Sequence, residues 1–276
     1  MRAATAAEAG TRSELFLCLA RAFLAPATPT HAEAMRCALA DDLEELAAQL
    51  RLPVSGPLAR LRAEAERLAG PDGWLPVYSA LFLVPPVAAR INAGWYLDGA
   101  LDGGSVRDME AAYLHCGLER DAGFRDLSDH VATQLEFVAW LYAGEAAALA
   151  AAAAAPPVSP GMFLHAYPRR WAAPLRADLA HAAGDCELPA NPYLPLAEVL
   201  ECAVLHCAEA PPVDAAAERR RHAIEGARAK RALRGITEED LAGMRRKLAA
   251  RGLDTGHLPR TVEAVREQLQ AVSHHA

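Results

Sequence analysis

Asp129 and His130 are the first residues to suggest chemistry, because an acid beside an imidazole is half of a proton relay. Neighbours on a helix point about 100° apart, so Asp129 cannot easily orient the ring of His130. Glu136 falls on the far side of the helix from them, and no serine or cysteine nucleophile is placed nearby by any motif. The pair reads better as the polar start of a helix facing a groove. There Asp129 would occupy a helix N-terminus, where negative charge is favourable.

The cysteines are the second candidates: Cys18, Cys37, Cys116, Cys186, Cys202 and Cys207, with no C-x-x-C pair among them. Cys202 and His206 lie one helical turn apart, with Cys207 adjacent and His181 and Cys186 upstream, which is a spacing a metal pair could use. The alternative is an apolar helix, LAEVLECAVLHCA, with thiols in its core stripe, and that reading is preferred. The sequence therefore calls for no metal and no cofactor of its own. In a reducing compartment all six are expected as free thiols. No G-x-x-x-x-G-K-[ST], G-x-G-x-x-G or G-x-S-x-G is present, so phosphate loops, dinucleotide turns and nucleophile elbows are not supported.

The elements that would position these residues all read as helix. Thr11-x-x-Glu14 and Thr30-x-x-Glu33 are capping boxes, the second opening a helix towards Arg51. Ser55-Gly-Pro starts a third helix, and Trp74 to Leu83 forms a fourth that Pro85-Pro86 stops. An irregular stretch through Gly94 and Gly99 to Gly103-Gly104 follows. Ser105 is expected to cap a helix ending near Gly117, and Ser128 another from Asp129 to about Ala150. Pro160 to Ala183 and Pro195 to Ala210 complete the set. No segment alternates as a strand would. The expected fold is an all-α single-domain bundle over residues 1–210. A charged helical appendage follows over 211–276, where AAAERRRHAIEGARAKRALRG is polar and basic.

Of the 276 residues, 53% are hydrophobic, enough for one sizeable core. A net charge of −7 argues against nucleic-acid binding, which needs a basic footprint. It suits a partner carrying positive charge. The N-terminal stretch has no apolar run of signal-peptide length, and the apolar windows are broken short of a membrane span. The chain is expected in the cytoplasm, without stable membrane insertion.

Four stretches together resemble the TorD/DmsD family of redox-enzyme maturation chaperones, which includes the NarJ branch. They are TRSELFLCLARAFLAP, then YSALFLVP with WYLDG, then LSDHVATQLEFVAWL, then FLHAYPRRWAAPLRADL with NPYLPLAEVL. They follow the family's order over roughly residues 11–210. The chain departs from the pattern at Leu127-Ser128, where Glu-Pro is usual before Asp-His, in the spacing of PPVAARIN, and in its length after residue 210. The resemblance implies a non-enzymatic bundle that holds an apo-molybdoenzyme until cofactor insertion, and often binds its twin-arginine leader. Such a groove needs carboxylates for arginine and exposed apolar surface for the rest of the leader. Asp98, Asp129 and Glu136 are candidates for the charge, with His130 beside them; Trp95, Tyr96 and Leu97, together with Phe137, are candidates for the apolar contact. The partners implied are the apo-catalytic subunit and its leader, and a second copy of the chain is a further candidate. A NarJ-like chaperone for a non-exported enzyme and a nucleotide-binding protein or hydrolase are the alternative readings.

Overall fold

The computed structural model describes residues 5–68, 70, 73–101, 103–119, 126–151, 154–185 and 188–209, and beyond these only 239, 242, 243, 246, 261 and 263. The chain divides into two compact units, Met1–Pro211 and Pro212–Ala276. Nearly all of the second unit, and so nearly all of the helical appendage expected over 211–276, lies outside the described residues. Glu239, Ala242, Gly243, Arg246 and Glu263 are helical.

The first unit is all-α. Its helices are α1 (Ala6–Ala22), α2 (Pro29–Cys37), α3 (Leu39–Leu50), α4 (Ser55–Arg67), α5 (Trp74–Phe82) and α6 (Gly94–Asp98), then α7 (Gly104–His115), α8 (Val131–Ala151), α9 (Pro160–Ala166), α10 (Pro168–Asp185) and α11 (Tyr193–Cys207). No strand occurs among the described residues; a single antiparallel bridge joins Asn92 to His130. No helix among them is long and apolar enough to cross a membrane.

The centre is the α1–α8 pair, the most extensive helix contact. α1 buries Leu15, Phe16 and Leu19 at helical spacing. α8 buries Val131, Leu135, Val138, Leu141 and also Phe137, so it is apolar on more than one face and must lie inside. Phe16 stacks on Tyr142 at 5.9 Å, and the Ser13 hydroxyl donates to the Ala139 carbonyl at 2.8 Å. A second knot forms around Tyr193 of α11, which meets Trp74, Tyr78 and Phe82 edge-on.

Several helix ends differ from the sequence reading. α1 starts one and a half turns earlier, capped by Thr5, whose hydroxyl accepts the Glu8 N–H; Thr11 lies inside the helix and donates to Ala7 and Gln49. α2 is capped by Thr28 with Pro29 in its first turn, and the helix towards Arg51 breaks at Ala38. Arg51 ends α3 at φ 56°, in the left-handed region. The helix expected over Pro160 to Ala183 breaks at Tyr167, and Pro168 opens the next one, where a missing N–H costs nothing.

Candidate functional site

Asp129 is fully buried. Its carboxylate accepts the Gly94 N–H at 2.7 Å and the Asn92 side-chain amide at 3.2 Å. Gly94 is the first residue of α6, so Asp129 satisfies a donor of a neighbouring helix, not of α8. The backbone reinforces the seam. The Asp129 carbonyl accepts from Ala93 N–H at 3.0 Å, and Val131 N–H donates to Ile91 at 3.0 Å. Gln134 and Trp171 extend it into the core: the Gln134 amide donates to the Asp129 carbonyl at 2.8 Å and accepts the Trp171 indole N–H at 2.9 Å. The seam admits no side chain at position 94. A Cβ there would stand 2.8 Å from both the Ala100 carbonyl and the Asp129 carboxylate.

His130 is also buried. Its Nδ1 accepts the Ala132 N–H at 3.1 Å. A backbone N–H can only donate, so Nδ1 is unprotonated and the proton of the neutral ring sits on Nε2, 3.7 Å from Asp126. Burial pushes the imidazole below its usual value, and Asp126 pulls it partly back. Burial likewise raises the Asp129 carboxyl, against its bonds to Gly94 and Asn92. The expected placement of Asp129 and His130 at a groove surface is therefore corrected. Both lie inside because the 91–94 segment closes over them. Ser128 does not cap α8; its hydroxyl donates to Glu110 at 2.6 Å.

What this seam holds up is α6, and α6 presents Trp95. The indole is 38% exposed, with the Arg90 guanidinium 4.7 Å above its ring. Tyr96 is half-buried and tied by its hydroxyl, which donates to Asp178 at 2.8 Å and accepts the Arg90 N–H at 3.0 Å. Leu97 is half-buried against the core. Asp98 is exposed and caps α7, accepting the Ser105 N–H and hydroxyl, each at 2.9 Å. Ser105, expected to be the cap, is thus the capped residue. Leu101 and Leu127 are exposed beside these elements, and Asp126 is bridged to the seam through Asn92 at 3.2 Å.

Glu136 lies apart from this group, exposed on α8. Burial of its surroundings raises its carboxyl, and the charge it senses is Arg21 of α1. Phe137 is core, packed on Tyr113 at 4.7 Å and Phe163 at 4.9 Å. The sequence reading placed Trp95, Tyr96, Leu97 and Asp98 together, and all four fall on α6. It missed Asn92, Gly94, Gln134 and Trp171. Gln134 did carry a signal, as a lone amide inside an otherwise apolar helix. Around Cys202, His206 and Cys207, no three potential ligands gather among the described residues, and Cys186 lies outside them.

Comparison with curated proteins and with solved structures finds no match. A sequence profile described as nitrate reductase delta subunit matches residues 33–177, which spans α3 to α9 entire and all of the Asp129 seam. With just over half of its length inside that profile, the chain belongs to the nitrate reductase delta subunit family, the NarJ/TorD-type chaperones of molybdoenzyme assembly.

Proposed function

We propose that the chain is a cytoplasmic, non-catalytic chaperone that binds the apo-catalytic subunit of a molybdoenzyme through the face built on α6, and holds it until its cofactor is inserted. The observation that carries this reading is the family match over the residues that include the α6 seam, coupled with a Trp95 that is held exposed instead of folded inward. A large indole left on the surface beside Leu101 and Leu127 suits an apolar partner segment. Asp98 and Asp126 supply negative charge next to it. On this reading Asp129 and His130 are positioning residues: they fix the loop that presents Trp95 and do not touch the client. The twin-arginine leader is the client segment whose chemistry fits best, its arginines meeting the carboxylates and its apolar stretch meeting the indole.

A second reading rests on the family description itself, which names the delta subunit of nitrate reductase. It would have the same face take a segment of the enzyme that is not an export leader. Two experiments test the proposal. Affinity purification of the full chain from its native host is expected to bring down a molybdoenzyme catalytic subunit that lacks molybdopterin. Absence of such a subunit, or its recovery fully loaded, contradicts the chaperone reading. A labelled leader peptide titrated at rising salt then separates the two modes. Leader recognition predicts affinity that falls with salt and levels off, and that drops when both arginines become lysines. No binding of the leader, with the enzyme subunit still captured, favours the second mode.

A further inference from the structure

A second groove, of about 420 Å³, runs between α1 and α3, with α2 contributing to its wall. Its floor is apolar, made by Leu17 and Cys18 of α1, Met35 of α2, and Leu39 and Leu46 of α3. Its rim is acidic, with Glu14 from α1 and Asp42 and Glu45 from α3, all exposed. Arg21 also lines it, as does His31, whose Nε2 donates to the Arg21 carbonyl at 3.0 Å.

The acids of this region fall into two sets. Asp41 and Glu44, one residue away on α3, are both held by Arg62, at 2.7 and 2.6 Å, and Glu33 on α2 is held by Arg36 at 2.6 Å. Among the described residues no ion pair engages Glu14, Asp42 or Glu45. The carboxylates that face away from the groove are neutralised within the chain, and those that face into it are not. On the floor the Cys18 thiol is pushed up to about 11, by burial first and Asp42 second, with Arg21 opposing. An apolar floor under an unneutralised acidic rim complements a segment with arginine or lysine on one side and apolar side chains on the other. From Glu14 to Arg21 the groove spans about 10 Å of helix, so its occupant covers about two helical turns.

We propose that this α1–α3 groove is a second docking site, separate from the α6 face, for a short cationic amphipathic segment. That the segment belongs to the client rests on the chaperone reading above; the docking itself does not. Two sites on one client would bind it more tightly than either alone, through a raised effective concentration.

The test uses the full chain carrying Trp95→Ala and Asp98→Asn, which removes the α6 face. The probe is a labelled helical peptide with arginines on one face and leucines on the other, compared with the same peptide carrying glutamine for arginine. The arginine peptide is expected to bind, more tightly at low salt, and more tightly than the glutamine peptide. Adding Glu14→Gln, Asp42→Asn and Glu45→Gln should weaken it about tenfold, the sum expected of three exposed ion pairs. These side chains are exposed, so circular dichroism should stay unchanged. Equal binding after the three substitutions, or equal binding of the glutamine peptide, overturns the groove. Failure of the α6 reading appears elsewhere, as unchanged client affinity when Trp95→Ala and Asp98→Asn are made alone.

Discussion

The Asp129 carboxylate accepts the Gly94 N–H at 2.7 Å, joining two residues 35 apart in the chain, and both are buried. This contact turns an exposed indole into a fixed feature of the surface. Trp95 follows Gly94 directly, so the position of the donor sets the position of the ring. The acid of the Asp-His pair ties the 92–94 segment in place, which accounts for its burial.

Asp129→Ala should cost about 1–3 kcal/mol, because it leaves the Gly94 N–H buried without an acceptor and the Asn92 amide with Asp126 alone. Asp129→Asn keeps one acceptor and should cost less. Gly94→Ala should be similarly damaging, since its new Cβ meets the Ala100 carbonyl and the Asp129 carboxylate at 2.8 Å. Thermal unfolding checks all three. Asp129→Ala should also lose client affinity, whereas Trp95→Ala should lose affinity with little change in stability. An Asp129→Ala protein as stable as the wild type would show that the seam carries no load.

His130 makes stability depend on pH in a definite direction. An unfolded histidine titrates near its ordinary value, about 6.5. The folded one titrates lower, because it is buried. Above the ordinary value both states are neutral and the contribution is complete. As pH falls below it, the unfolded chain takes up a proton that the folded chain refuses, so stability is lost down to the depressed folded value. Asp129, raised by burial, works in the opposite sense further into acid. His165 and His206 are also lowered, so the difference between wild type and His130→Asn isolates this ring. Asparagine can still accept the Ala132 N–H. Denaturant melts from neutral to mildly acidic pH should show a shallower slope in the variant; identical slopes would contradict the buried neutral ring.

Arg90 sits over the Trp95 ring, where an incoming arginine would otherwise stack. Arg90→Ala should therefore tighten binding of a twin-arginine leader, by removing both a like charge and a competitor for the ring. The Tyr96 hydroxyl bond is to the Arg90 backbone and survives the change. Anisotropy titration of the labelled leader is the check, and weaker binding would assign Arg90 to the client contact instead.

All-helical architecture was legible from the apolar periodicity and from the absence of two-residue alternation. Trp95, Tyr96, Leu97 and Asp98 fall together on α6, as consecutive residues of one short helix must. Helix ends were less legible where two capping signals competed: Thr28 with Pro29 at its side prevails over Thr30, and Thr5 over Thr11. The burial of Asp129 was not legible at all. It depends on a backbone N–H contributed from Gly94, and a backbone donor leaves no mark on side-chain pattern. Glu136 was grouped with Asp129 by closeness in sequence, yet α8 turns it to a separate face.

A chain ending at Pro211 should fold as a cooperative helical unit, since the chain divides at that point and the helices α1 to α11 all precede it. A single sharp thermal transition with retained helicity is expected. Broad, non-cooperative melting would show that the first unit needs the rest of the chain.

The most direct test is the molybdenum content of the client catalytic subunit, purified from cells that express it with the wild-type chain, with the Trp95→Ala/Asp98→Asn chain, or without either. A loaded subunit is expected with the wild type and a largely empty one in the other two. Equal molybdenum content in all three would contradict both the chaperone reading and the α6 face as its working surface.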